Sequence, residues 1–508
     1  MLNAPVEDLS GSSLAALGGS SMDAVRIAEM LRSRHRVVVR GIDLLSAVDL
    51  TAALRTAAGQ TLDREAESEF GPVPGEHVRL TWQQRGVWFR CLLDPSTTQY
   101  HFHALFRFDS APSVPRLRAA LLRTVRRHAV LRTRIAASGA DAWQVVPPAD
   151  VSADDLDLSE VELDDPDLSW ADLRVAVAAD RLFDLATGPL VRWTLVRLAG
   201  GATLLLHTEH HLVHDGQSFL ALVGTLRGLD LDDPDAPAKP DEPDLRYFRY
   251  AATQRPPDPA QPARVAAECA TADLSALRPT GAESAGICCR EHVPEALLAA
   301  VRGTARSVGV TPFVVLFGAF AAAIAHLQNR DRLVVGTGVL NRPPGHDDAV
   351  GMYVSLVPVV LDRPGGSGAA DYLRAVDGAL RDAMRRSDVP LQNVVRELGR
   401  TGRGSNTLLS SAFSMHEQVD RRIDLAGTAA TVEVGLGNGS AKLPVDAVAL
   451  ASGDSWTGQV EILIEGDAAF VSTADLETLW RRFAAELDAL TRSPAAAQVL
   501  SSSDAPSW

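Results

Sequence analysis

Cysteine is scarce. The 508 residues hold four, Cys91, Cys269, Cys288 and Cys289, with no CxxC spacing among them. Neither a disulfide framework nor a structural zinc site is expected from that count, and free thiols suit a reducing cytoplasm. Basic charge is also short: 49 Lys and Arg stand against 64 Asp and Glu, for a net charge of −15. A nucleic-acid binder would show a basic face instead. Long apolar runs are missing as well. The longest, Pro312 to Ala325, is too short to span a bilayer. Met1 to Ser13 carries acidic and small residues where a cleavable signal would have a basic start and an apolar run. No glycine-rich loop followed by Lys and Ser or Thr offers a nucleotide site. The expectation is a soluble, cytoplasmic protein with no membrane or nucleic-acid partner. What remains is an ordinary globular composition, 46% apolar and 22% charged, on a chain long enough for roughly two to four domains.

The stretch that organises the chain is His210-His211-Leu212-Val213-His214-Asp215-Gly216. Ala202 to Glu209 before it reads as a buried strand, and Gln217 to Leu226 after it reads as the start of a helix. A strand end, a polar turn and a helix start present a base well. The imidazoles have an ordinary pKa near neutrality, and free N–H groups of the next turn can meet a developing oxyanion. Asp215 lies four residues beyond His211, and Gly216 allows close approach of the backbone. The same residues are compatible with a solvated His-rich loop, or with a metal site built from His210, His211, His214 and Asp215.

The order of these residues matches HHxxxDG, and the chain resembles the condensation domains of nonribosomal peptide synthetases, a superfamily similar to chloramphenicol acetyltransferase. Further segments carry the resemblance in order. Leu80 to Phe89 resembles the family's first motif, whose Gln and aromatic residue help line the acceptor channel; on its own it reads as an amphipathic helix with core aromatics. Arg127 to Ile135 matches RHxxLRTxF, with Ile replacing the final Phe. Tyr247 to Ala251 sits where the family has a YxDF-like motif, with Arg249 in the acidic position. Asn341-Arg342 is similar to an Asn-Arg pair of the family, which makes Arg342 a partner for a buried carboxylate. Gly351 to Pro358 resembles GxFVNTLP, with Ser355 and Leu356 replacing Asn and Thr. Ser387 to Leu391 corresponds to HQDVPFE and argues for condensation over epimerization.

Periodicity supplies the elements between the motifs. Strands are expected at Tyr100–Phe108, at Val191–Leu198 and Thr203–Leu206 about a Gly200-Gly201 turn, at Gly286–Val293 and at Leu333–Val339. Helices are expected at Val114–Arg127, after the Thr311-Pro312 cap, and at Ser472–Arg492. The acidic stretch from Ala149 to Ser169 reads as a solvated loop or helix face. Ser410 to His416 reads as a strand facing the channel, with His416 either a substrate contact or, in preference, a surface residue.

At the amino terminus, Leu17-Gly18-Gly19-Ser20-Ser21 resembles the LGGxS motif of peptidyl carrier domains, where a serine at the Ser21 position carries phosphopantetheine. Residues 1–65 then form a carrier-like helical unit, truncated before its first helix, with helices at Ser21–Arg32 and about Ala47–Ala58. A vestigial or docking domain fits the residues equally. A linker occupies 66–76, the condensation N-lobe 77–240, its C-lobe 241–495 and a flexible tail 496–508, with the Asp- and Pro-rich Leu229 to Asp244 between the lobes.

The resemblance, over about residues 77 to 495, implies an α/β fold of two chloramphenicol-acetyltransferase-like lobes in a V, with His211 at their junction in a tunnel. Donor and acceptor carrier proteins would present acyl or aminoacyl thioesters on phosphopantetheine, and an amine or hydroxyl would attack to give an amide or ester. His211 would orient the nucleophile or take its proton, and the Gly216 N–H would stabilise the oxyanion. Asp215 would hold the motif through a salt bridge, and His210 would pack or hydrogen-bond the loop. With no adenylation signature, the chain would work in trans. An acyltransferase using acyl-coenzyme A, like wax ester synthases with the same motif, and a non-catalytic carrier-recruiting module are the alternatives.

Overall fold

A computed structural model describes residues 75–492 apart from 140, 149, 153–155, 228–241, 256, 275–283, 366–367, 400–407, 418–420 and 452–457, together with 13, 14 and scattered positions from 24 to 58. In chain order the first strands are β1 (His77–Arg79), β2 (His101–Phe108), β3 (Arg134–Ser138), β4 (Asp141–Val145), β5 (Leu158–Leu163), β6 (Val191–Leu198) and β7 (Thr203–His210). They are followed by β8 (Gly286–His292), β9 (Arg332–Leu340), β10 (Val354–Asp362), β11 (Ser411–Glu417), β12 (Arg422–Leu425), β13 (Thr428–Glu433), β14 (Val445–Ala451) and β15 (Val460–Asp467).

Two six-stranded sheets, each faced by helices, make two α/β lobes. The first sheet runs β12-β13-β2-β7-β6-β5, the second β10-β9-β11-β14-β15-β8, and β1-β4-β3 form a small third sheet. In the first sheet β7 lies between β2 and β6 and is buried along its whole length. A run such as Leu204-Leu205-Leu206 suits a strand covered on both faces. Its hairpin with β6 turns on Gly200 and Gly201 at φ 90° and 96°, conformations that cost glycine little.

The second half of the chain completes the first sheet. β13 pairs with β2 through Ala430↔Phe108 to Glu433↔Leu105, and β12 pairs with β13. A division near residue 240 therefore leaves to the second lobe a hairpin that belongs to the first sheet. Ala430 and Val432 are buried against the first lobe's core, and the hairpin covers the edge β2 would otherwise expose.

The acidic stretch also differs from its expectation of loop or helix: Leu158 to Leu163 forms β5, the far edge of the first sheet, parallel to β6. Leu158, Val161 and Leu163 are half-buried, while Glu160 and Glu162 remain exposed. Glu160 meets Arg197 of β6 at 2.8 Å. Charged side chains on an edge strand also discourage pairing with other chains.

The helix Trp82–Leu93 starts at a capping box in which Thr81 and Gln84 satisfy each other's backbone N–H groups. Val87 and Trp88 are buried, but Phe89 is 51% exposed, so its aromatics are not all core. In the second lobe the Thr311 hydroxyl accepts the Val314 N–H at 3.3 Å, and Pro312 opens the helix Pro312–Leu327. Val314 to Ala325 is buried on every side of that helix, which is why the run is apolar without amphipathic period. Among the described residues no single helix is long and apolar enough to cross a membrane.

In the amino-terminal unit Ala24, Ile27 and Ala28 pack with Leu14, Val39, Leu44 and Leu50. The second helix begins at Leu50, three residues later than its expected start, because the Asp49 carboxylate accepts the Ala52 N–H at 3.1 Å and fixes the turn there. Ser21, residues 66–74, most of the Asp- and Pro-rich divider and the tail 496–508 lie outside the described residues.

Candidate active site

Strand β7 ends at His210, a single turn covers His211 to Val213, and the helix Gly216–Arg227 follows. Asp215 caps that helix: its Oδ1 accepts the Ser218 N–H at 2.9 Å, and the Ser218 hydroxyl accepts the Asp215 N–H at 3.3 Å. The cap also ties the lobes together. Arg342, at the end of β9, meets Asp215 Oδ1 at 2.5 Å, and the Tyr353 N–H donates to Asp215 Oδ2 at 2.9 Å. Arg342 also donates to the carbonyls of His346 and Ala349 at 2.7 and 2.6 Å and lies 4.3 Å over the Tyr353 ring. Asp215 is fully buried. Burial pushes its carboxyl up, but Arg342, the Tyr353 N–H and Ser218 outweigh that and hold it below the ordinary carboxylate value.

The two adjacent histidines diverge. His210 turns into the first lobe, where its Nδ1 accepts the Leu212 N–H at 3.1 Å and its ring meets His101 edge-on at 5.9 Å. Burial, with His101 and Arg192 adding to it, pushes its pKa down to about 3. His211 is half-buried, and its ring stands edge-on to Tyr100 at 6.3 Å and to His214 at 5.9 Å. Its Nδ1 is enclosed, so Nε2 is the nitrogen that meets the cavity beside it. Burial, reinforced by Lys442 and His214, drives its pKa well below 6.5, and the ring is neutral at neutral pH. A neutral imidazole with an accessible nitrogen can take a proton.

Behind the turn lies a carboxylate. Glu209 is fully buried between His207, 3.4 Å away, and His214, whose Nδ1 contacts the same carboxylate oxygen. Burial raises its carboxyl pKa, but the two imidazoles prevail and hold it below the usual range. His214 is stacked on Phe102 at 4.4 Å. Gln84 donates to the Leu212 carbonyl at 2.8 Å and braces the turn from the first helix of the lobe. With Asp215 committed to Arg342, His214 to Glu209 and His210 facing away, the four residues of the metal reading do not converge. Among the described residues no three His, Cys, Asp or Glu are placed to hold an ion.

His211 and Gly216 open onto a cavity of about 1710 Å³ at the lobe junction, which Gly338, Val354, Ser414 and His416 of the second lobe also line. His416 thus faces the cavity and not the outer surface, because alternation along β11 sends Phe413 into the core and Ser414 and His416 the other way. Asn341, beside Arg342, donates to the Ser355 hydroxyl at 2.7 Å and to the Ser387 carbonyl at 3.0 Å. Ser355 therefore keeps a polar contact where a shorter side chain replaces the family's Asn. Arg249 is exposed and takes no part.

Ser218, Tyr353 and Glu209 join the site beyond the residues expected from the sequence, and Gln84 of the first motif braces the histidine turn. Ser218 alone left a signal, since Asp-x-x-Ser ahead of an apolar run has capping-box spacing. The others act across more than a hundred residues of chain or through burial.

A family model, the condensation domain, matches residues 75–457. Phosphinothricin tripeptide synthetase PhsC of Streptomyces viridochromogenes is 30% identical over 392 residues, which cover 73% of this chain and 35% of that protein. PhsB of the same organism is 28% identical over 466 residues, 88% of this chain and 39% of that one. The chain therefore spans little more than a third of these relatives. Among solved structures, the first condensation domain of the calcium-dependent antibiotic synthetase in complex with a substrate analogue superposes with a TM-score of 0.64 at 21% identity, over 84% of this chain and 98% of that one. The starter condensation domain of rhizomide synthetase RzmA gives a TM-score of 0.63 at 18% identity, over 82% and 97% of the two chains. Both share the two-lobed fold.

Proposed function

The chain belongs to the condensation-domain family, and from that premise we propose that it joins an acyl or aminoacyl group, delivered as a thioester on a carrier protein's phosphopantetheine arm, to an amine or hydroxyl acceptor. The observation that carries this reading is a single cavity at the lobe junction, of about 1710 Å³, onto which a neutral His211 and the start of a helix open together. That volume exceeds the roughly 300–1,000 Å³ of an ordinary small-molecule pocket and suits two extended substrates meeting end to end.

When bound, the phosphopantetheine arm supplies an activated acyl carbon with a thiol leaving group. The protein's residues supply position and proton handling. His211 Nε2, accessible and unprotonated, accepts the nucleophile's proton as the new C–N or C–O bond forms and returns a proton to the departing sulfur as C–S breaks. Such a base contributes ~10²–10⁴-fold in rate. The Gly216 N–H, at the first turn of its helix, meets negative charge that develops on the carbonyl oxygen. Asp215, Arg342 and Ser218 lock that turn against the second lobe, so the base and the helix start are fixed relative to the opposite wall. His210 supports the turn by accepting the Leu212 N–H.

Carrier proteins loaded with acyl and aminoacyl pantetheine, incubated with wild type and His211→Ala and read by intact mass, test the reading. A condensed product on the acceptor carrier, lost by ~10²-fold or more in the folded variant, is the expected outcome. Turnover of acyl-coenzyme A with a free amine and no carrier would instead favour a stand-alone acyltransferase. Full turnover in His211→Ala would remove the base.

A further inference from the structure

Opposite His211, β11 carries a second imidazole into the same cavity. His416 packs edge-on against the start of the helix Gly216–Arg227: a Cβ placed on Gly216 would lie 2.5 Å from His416 Nδ1 and 2.9 Å from its Cε1. The Nδ1–Cε1 edge therefore faces Gly216, and Nε2 stands on the other side of the ring. The ring is open to the cavity, and no described residue hydrogen-bonds either nitrogen. Its neighbour on the same face behaves differently, since the Ser414 hydroxyl accepts the Gly338 N–H at 3.0 Å. Ser414 thus has one of its lone pairs engaged by the sheet, while both His416 ring nitrogens are left to the cavity.

Partial desolvation inside the cavity, with Lys442 and His214 adding to it against the pull of Asp215, holds the His416 pKa below 6.5. A helix start also disfavours a cation beside it. The ring is neutral at neutral pH and keeps one N–H donor and one lone pair. With His211 placed to handle the nucleophile's proton, a second neutral ring packed against the helix start has an N–H to offer an acceptor oxygen. In a thioester exchange the oxygen that gains charge is the acyl carbonyl.

We propose that His416 is a catalytic contact of the second lobe, donating a ring N–H to the acyl carbonyl oxygen next to Gly216. The inference rests on the thioester reading above. His211, from the first lobe, serves the nucleophile; His416, from the second, serves the oxygen. No bond to His416 forms or breaks and no proton leaves it: the hydrogen bond strengthens as the carbonyl gains charge and relaxes when the thiol departs. Loss of one such donor is expected to cost ~10²-fold in kcat with little change in KM.

The test uses the full chain and acetyl-pantetheine labelled with ¹³C at the carbonyl, observed by NMR with wild type, His416→Asn, His416→Leu and His211→Ala. A downfield displacement of the bound carbonyl in wild type and His211→Ala, kept in part by the donor-bearing Asn and abolished by Leu with an unchanged melting temperature, is the expected result. An undiminished displacement in His416→Leu overturns the proposal. Equal loss in Asn and Leu also overturns it, since volume and not hydrogen bonding would then be responsible. Loss in His211→Ala would place the carbonyl against the other imidazole and overturn it too. If wild type binds no thioester at all, the reading of the function falls first and this inference with it.

Discussion

Breaking the Asp215–Arg342 pair tests whether the histidine turn is held by the opposite lobe. Both side chains are buried, and Asp215 accepts from Arg342 at 2.5 Å, from the Ser218 N–H at 2.9 Å and from the Tyr353 N–H at 2.9 Å. Asp215→Asn removes the charge and turns an NH₂ toward one of these donors. Arg342 then keeps the carbonyls of His346 and Ala349 but no carboxylate. A buried ion pair deprived of one partner costs about 3–5 kcal/mol. Arg342→Met leaves a buried carboxylate with backbone donors still in place and falls in the same range, while the double variant removes both charges. The singles are therefore expected to lose about 3–5 kcal/mol each. The double should lose less than their sum by roughly 1–3 kcal/mol, the size of coupling between contacting residues. Urea unfolding of the four proteins, followed by tryptophan fluorescence and circular dichroism, measures this, with equal m-values required for the comparison. A single loss below about 1 kcal/mol, or strictly additive losses, would refute the anchor.

The remaining predictions concern acid stability, the glycine of the motif and the amino-terminal unit. Burial pushes His101 and His210 down to about 3 and His128 and His346 to about 4, from 6.5. The unfolded chain therefore takes up protons below about pH 6.5 that the folded chain refuses, and stability falls as pH drops from there. Asp215 and Glu209, held below their ordinary values, contribute stability present above about pH 4.5 and lost as pH falls through their folded values. Asp446, whose carboxyl burial pushes up to about 7, and Glu465, also raised by burial, act the other way, since the folded chain takes up their protons first as pH falls. The four histidines outnumber these two carboxyls, so the urea midpoint should decline between pH 7 and 5, and more steeply in Asp446→Asn; a midpoint constant to pH 5 in Asp446→Asn contradicts the buried neutral histidines. Gly216→Ala drives a methyl into the His416 ring and should cost about 1–3 kcal/mol by overpacking, relieved in Gly216→Ala/His416→Ala; thermal unfolding of the pair decides, and an unchanged melting temperature in Gly216→Ala would contradict the contact. Incubation with coenzyme A and a promiscuous phosphopantetheinyl transferase should add a phosphopantetheine mass to wild type and not to Ser21→Ala; no gain in wild type makes the amino-terminal unit a docking or vestigial element.

Local rules reached the elements because each obeys a period the eye can follow. Val114 to Arg127 alternates as a helix and is one over those very residues, and Thr311-Pro312 opens the core helix as a cap followed by a first-turn proline should. They failed where a segment's fate is decided by what it meets. Glu160 and Glu162 make the stretch before Trp170 look solvated, and they are exposed; yet Leu158, Val161 and Leu163 turn inward and the segment becomes the edge partner of β6. Nothing near residues 422–433 announces that they will close the sheet begun by β2, three hundred residues earlier.

The site divides along the same line. The turn from His210 to Gly216 states its own chemistry, since strand end, imidazole and helix start are consecutive in the chain. Its constraints come from elsewhere: Arg342 and Tyr353 from the second lobe fix Asp215, Gln84 braces Leu212, and His416 arrives on β11. Gly216 shows why both halves are needed. Backbone freedom does not require glycine there, as the position sits in the first turn of an ordinary helix without a left-handed φ. What requires it is the imidazole 200 residues later in the chain, 2.5 Å from where a side chain would begin. The glycine of the motif is then a statement about the opposite wall of the cavity, and exchanging His416 for a smaller residue should make position 216 tolerant of a methyl group while leaving His211 where it stands.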